Sequence, residues 1–118
     1  MNLNGLSFQV SATATTGVVS SDTRLALLQR GSRILGRYQG GSIQRGYLVG
    51  SIVGHTIYFR YSQRETAGEI HGGRSICLLE FLSGGRLRIR EHFTWKTRDG
   101  AGVNIFDQVD AGHQLDAR

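Results

Sequence analysis

The chain contains no proline, and only one cysteine and one tryptophan, in 118 residues. Proline removes a ladder donor from any strand that carries it, so its absence leaves the whole chain open to sheet pairing. A single thiol cannot close an intrachain disulfide; Cys77 therefore fits a reducing compartment and reads as a packed side chain. No apolar run approaches the roughly 18 residues that a membrane-spanning helix needs. The opening MNLNGLSFQV has no basic stretch leading into an apolar one, so no secretory signal is visible and the cytoplasm is the expected compartment. The histidines at 55, 71, 92 and 113 stand on separate segments without close ligand spacing. No metal, cofactor or membrane partner is expected.

Seventeen glycines stand against the absent prolines. Glycine supplies the tight turns and bulges of all-β proteins, so the pair of extremes leans toward sheet. A hydrophobic content of 39% with 19% charged residues is ordinary for a soluble globular protein, and the length predicts one domain over residues 1–118. The net charge of +5 raises the question of a polyanionic partner.

Read for a period of two, the chain divides into about eight alternating stretches separated by glycine-rich or polar turns. These run over residues 6–12, 23–30, 33–39, 46–53, 55–63, 70–82, 86–95 and 103–109. Ser21 and Asp22 could instead cap a short helix over the second, ended by Gly31; it is read as a strand. Gly72 and Gly73 predict a bend or a bulge in the sixth, and the adjacent glycines of "SGGR" at 83–86 meet the positive φ demands of a hairpin turn. Asp110 to Arg118 reads as a frayed tail. Eight short antiparallel strands with short turns predict an all-β, up-and-down barrel, whose interior is wide enough for packed side chains or one small ligand.

The most regular stretch is "RLRIREHFTW". Leu87, Ile89, Phe93 and Trp95 share one face, and Arg86, Arg88, Arg90, His92 and Thr94 the other. Glu91 breaks the apolar face, where an ionised carboxylate is costly unless it has partners or a task. The outer arginines, continued by Lys96 and Arg98, form a basic stripe. Phe93 and Trp95 point away from it, so it lacks the interleaved aromatics of a nucleic-acid surface and reads as a solvated face. A nucleic-acid partner is disfavoured on that ground, and a homodimer stays open.

The segments "SSDTRLALLQ", "RYQGGSIQRGYLVG", "IYFRYSQ" and "GGRLRIREHFTW" together resemble a family of small bacterial proteins often labelled N-acetylglutamate synthase. A typical N-acetyltransferase needs a longer α/β domain and a phosphate-cradling loop that opens a helix, and "RYQGGS" leads from a strand into a turn. The order "GRYQGG", "GYLVGSI", "EHFTWKT", "NIFDQ" also resembles the avidin barrel. That resemblance implies an avidin-like or calycin-like fold, with Tyr38 as a ligand-facing tyrosine, Trp95 as a pocket wall and Asp107 as the acid that meets a ureido nitrogen. With Trp95 alone, the other aromatic walls of a biotin site are missing.

Alternation by itself gathers Tyr38, Phe59, Tyr61, Gln63, Glu91, Phe93, Trp95 and Asp107 on the faces that carry apolar residues. A mostly apolar interior with a few polar groups is how small-molecule sites are composed. On this reading Tyr38, Phe59, Gln63, Phe93 and Trp95 contact a small organic ligand. Glu91, Tyr61 and Asp107 are the catalytic candidates for a cofactor-free cyclase, isomerase or lyase, with Glu91 as acid or base, Tyr61 donating to an oxyanion and Asp107 as a second carboxylate. Three alternatives stay open: a binding protein without turnover, an oligonucleotide-binding barrel, and a structural role in which Glu91 pairs with an inward arginine such as Arg74.

Overall fold

The computed structural model describes residues 1–109. Eight strands follow one another along the chain: β1 (Ser7–Ala12), β2 (Arg24–Arg30), β3 (Arg33–Gly40), β4 (Ile43–Val53), β5 (Thr56–Glu65), β6 (Ile70–Phe81), β7 (Leu87–Trp95) and β8 (Ala101–Val109). Each pairs antiparallel with the next, and β8 returns to pair with β1, so the sheet closes into the expected up-and-down barrel. Closure removes every free edge. The second stretch is a strand, as read, and not a capped helix; the expected tail at 110–118 lies outside the described residues. Among the described residues, no helix is long and apolar enough to cross a membrane.

Alternation decides which side chains fill the barrel. In β7 the buried residues are Leu87, Ile89, Glu91, Phe93 and Trp95, as the sequence pattern requires. Phe8, Tyr38, Leu48 and Tyr61 are buried with them, while Leu6 and Phe59 are partly buried and pack against the same core. Leu3 lies fully buried at the end where β2 turns into β3, its backbone N–H donating to Gln29.

The glycines do more than turn the chain. Gly84 and Gly85 do sit at positive φ, as the β6–β7 turn demands. Gly72 and Gly73, however, form no bulge: the ladder from β5 to β6 to β7 runs through them without a shift in register. A Cβ on Gly73 would collide with the Tyr61 ring, its partner across the ladder, and one on Gly46 would collide with the Tyr38 ring in the same way. Both tyrosine rings occupy space that a side chain on the opposite residue would fill, and at Gly73 the Thr94 carbonyl crowds the same space.

At the other end from Leu3, the longest connection, residues 13–23, folds over the barrel mouth. Val18 and Val19 pack against the core, and the Trp95 indole N–H donates to the Thr16 carbonyl at 2.9 Å. The sequence showed this segment only as a polar loop.

Candidate functional site

Beneath the 13–23 connection lies a narrow cavity, with Gly17, Val18 and Val19 of that connection among its lining. Leu27, Ile34, Ile57, Ile89 and Phe106 form its deep apolar part, and Phe59, Tyr61, Phe93 and Trp95 an aromatic wall. Trp95 meets both Tyr61 and Phe93 edge to face, with ring centroids 5.4 and 5.9 Å apart. Such contacts fix the rings nearly perpendicular to one another, so the wall offers both ring faces and ring edges. Of the expected contact residues, Tyr38, Phe59, Gln63, Phe93 and Trp95 all line it, as do Tyr61 and Glu91.

Glu91 sits midway along β7, opposite Cys77 on β6 and Asn104 on β8. Its side chain is buried and makes two hydrogen bonds: Ser75 Oγ approaches Oε2 at 2.6 Å, and Asn104 Nδ2 donates to Oε1 at 2.9 Å. Both partners are neutral. Among the described residues no cation pairs with Glu91, and Arg74 points outward into solvent, which rules out the alternative of an ion pair with Arg74. Burial pushes the Glu91 pKa above the ordinary carboxylate value, and the two hydrogen bonds offset only part of that rise. The same burial, reinforced by Glu91, holds the Tyr38 and Tyr61 hydroxyls well above the usual tyrosine range, so both act as neutral donors.

Asp107 is not part of this site. The sequence reading placed Asp107 inward, but the opposite phase of β8 faces the lumen, carrying Asn104 and Phe106. Asp107 stands on the outer wall and grips Arg88 through two bonds of 2.7 and 3.0 Å, which hold its pKa below the ordinary value. Asn104 was missed as the lumen's polar residue on β8. It also links inward and outward, since Thr13 Oγ1 donates to its Oδ1 at 2.7 Å and so ties the 13–23 connection to Glu91.

A second polar chain starts at Tyr38, whose hydroxyl donates to Gln63 at 2.8 Å. Gln63 donates to Glu65 at 2.9 Å, and Arg98 donates to the other oxygen of Glu65 at 2.9 Å. Burial opposes ionisation of Glu65, but the bonds from Arg98 and Gln63 prevail and lower its pKa. The Arg98 guanidinium lies 4.7 Å above the Trp95 ring, braced by a cation–π contact. Glu65, Glu69 and His71 bring ligand-type atoms within 4.8 Å of one another here, but Arg98 already pairs with both carboxylates. Tyr61 is held more loosely, its hydroxyl 3.4 Å from the Thr94 carbonyl. That is long for an O–H donor, and a ligand oxygen could take its place.

The signals that could have found the missed residues were weak. Val18–Val19 is the only adjacent valine pair in the chain and falls in an otherwise polar loop. Ser75 and Asn104 become visible only once the register around Glu91 is known.

The resemblance carried Tyr38 and Trp95 into the lumen correctly and Asp107 incorrectly, so the acid expected to meet a ureido nitrogen is absent from the cavity. Comparison with curated proteins and with solved structures gives no match. A family model described as "Avidin-like protein" matches residues 1–109, the whole of the barrel. On that match and the closed eight-stranded architecture, the chain belongs to the avidin-like protein family.

Proposed function

We propose that the lumen binds one small organic molecule and that Glu91 meets its polar end. The observation that carries this reading is the buried carboxyl itself, held by two neutral donors on an otherwise apolar and aromatic wall. A carboxyl kept inside a core without a cation lowers stability, and such groups persist where they have work to do. The ligand would pack against the faces and edges of Phe59, Tyr61, Phe93 and Trp95 and present a hydrogen-bond donor to Glu91.

A second reading adds chemistry to the same pose. Burial raises the Glu91 pKa, the direction in which general acids and bases are tuned, and the loosely held Tyr61 hydroxyl could donate to an oxygen that gains charge. This supports a cofactor-free cyclase, isomerase or lyase, with Glu91 moving the proton and Tyr61 steadying the charge. Asp107 has no part in it.

Native mass spectrometry of the purified chain tests for a retained small molecule, and Glu91→Gln then separates the readings. Loss of turnover by roughly two to four powers of ten, with the fold intact, marks a catalytic acid or base. Affinity weakened by about 1 to 3 kcal/mol, with no turnover in the parent protein, marks a binding role. Unchanged binding of the retained molecule together with unchanged turnover in Glu91→Gln would refute both.

A further inference from the structure

From residue 23 to residue 64 the sequence has no Asp or Glu and seven arginines. The barrel lays these, with Arg74 of β6, on exposed outward positions of five neighbouring strands. The ladder sets Arg30 directly opposite Arg33, Arg45 opposite Arg64, and Arg60 opposite Arg74. Like charges facing each other across a sheet oppose folding. Nothing in the wall relieves them: among the described residues, the arginines that pair with carboxylates are Arg88, Arg90 and Arg98. The rest of the chain is net acidic, so this face carries more than the whole excess of +5.

Aromatic rings stand among these charges. Tyr47 and Tyr58 are about half exposed, at 50% and 46%. Arg37 lies across the ladder from Tyr47 and Arg45 two residues before it, while Arg60 lies two residues after Tyr58. The β7 stripe lacks such rings, and this face has them.

We propose that the outer face of β2–β6 is a docking surface for a single-stranded nucleic acid, with phosphates on the arginines and bases on Tyr47 and Tyr58. Guanidinium forks bind phosphate oxygens in pairs, and every cation here is an arginine; Lys96 is the chain's one lysine. Exposed aromatic rings among cations are the stacking platforms that single strands use. Shape and charge disfavour other occupants. Leu28, Leu35, Val49 and Ile76 also stand exposed on this face, but a second copy docked over them would bring together two sets of eight arginines, unpaired among the described residues. A flat bilayer or stiff duplex touches a cylinder along a narrow strip, whereas these charges spread over five of the eight strands and suit a chain that bends around them. The lumen is independent of this surface, because alternation gives the two faces different side chains.

The test is fluorescence anisotropy of the full chain with a labelled oligothymidylate or oligouridylate of about thirty nucleotides. Binding should be measurable near 50 mM KCl and fall about a hundredfold by roughly 200 mM if some five phosphates are engaged. Changing Arg60→Gln with Arg74→Gln should weaken it at least tenfold and flatten the salt dependence, without lowering the melting temperature. Tyr47→Ala with Tyr58→Ala should weaken it roughly tenfold or more at an unchanged salt slope. Arg88→Gln with Arg90→Gln should leave it unaltered, since those charges are already paired. The proposal is overturned by absence of binding at the lowest salt, or by equal binding in the Arg60/Arg74 variant. It is also overturned by stronger capture on phosphatidylserine-containing vesicles than on the oligonucleotide, or by a dimer that Leu35→Ser with Val49→Ser dissolves.

Discussion

Glu91 and Asp107 are carboxylates on neighbouring strands, and the barrel wall separates them. Inside, Glu91 has only Ser75 and Asn104 for partners, and burial raises its pKa. Outside, Asp107 has the Arg88 guanidinium and remains an anion, with its pKa lowered. The side chains differ by one methylene, so the direction each takes from the pleat accounts for the contrast. On the lumen side a carboxyl keeps its proton to higher pH than an ordinary one; on the outer side it serves as half of an ion pair.

The largest effect on this contrast should come from Asn104. Replacing it by alanine removes one of the two donors to Glu91 and also the anchor for Thr13. We expect Asn104→Ala to lose about 1.5 to 3 kcal/mol, the range for hydrogen bonds to charged groups. The loss should be greater at pH 8 than at pH 5, because only the ionised carboxylate depends fully on that donor. Urea unfolding at the two pH values measures it, and a loss independent of pH would mean that Glu91 does not ionise in the folded barrel.

The two carboxylates should next give pH dependences of opposite sign. In the folded chain Glu91 holds its proton to higher pH than in the unfolded chain, so stability falls as pH rises through its raised pKa. Glu91→Gln should therefore match the parent below the ordinary glutamate range and become the more stable of the two as pH rises. Asp107 contributes above its unfolded pKa and loses that contribution as pH falls through the lowered one. Asp107→Asn should be the less stable protein at neutral pH, by up to about 1 kcal/mol for a partly exposed pair, and converge with the parent in acid. Parallel curves for the two variants would erase the distinction between lumen and wall.

How far the sequence revealed this arrangement depends on the strand. In β7 every second residue from Leu87 to Trp95 is bulky apart from Glu91, so the inward face and the anomaly on it were both legible. In β8 the run VNIFDQV has apolar residues in both phases, with Ile105 and Phe106 both buried, and alternation could not choose between Asn104 and Asp107. The choice is made by register with β7, which pattern alone does not contain. The paired glycines of β6 were misread for a related reason. A glycine that bends a strand and one that makes room for a ring look alike until Tyr61 is seen lying across Gly73.

The smallest expected effect lies in the outer wall, where the two halves of the barrel differ. On β6–β8, Arg88 and Arg90 are matched by Asp107 and Glu80; on β2–β6, Arg60 faces Arg74 with no carboxylate partner among the described residues. Arg60→Gln keeps a long polar side chain on an exposed strand position and removes one of two opposed charges. Stability should rise by a few tenths of a kcal/mol, the scale of an exposed cross-strand pair. Added salt should shrink the gain, because exposed charges are screened within about 10 Å at 0.1 M ionic strength. Arg90→Gln should do the reverse, losing a similar amount that salt also shrinks, since it breaks an attraction with Glu80. Chemical unfolding in urea, which leaves ionic strength free to vary, resolves both signs. A loss in Arg60→Gln equal to that in Arg90→Gln would show that the arginine stems hold the wall together by packing. The uncompensated charge would then impose no penalty that a binding partner has to explain.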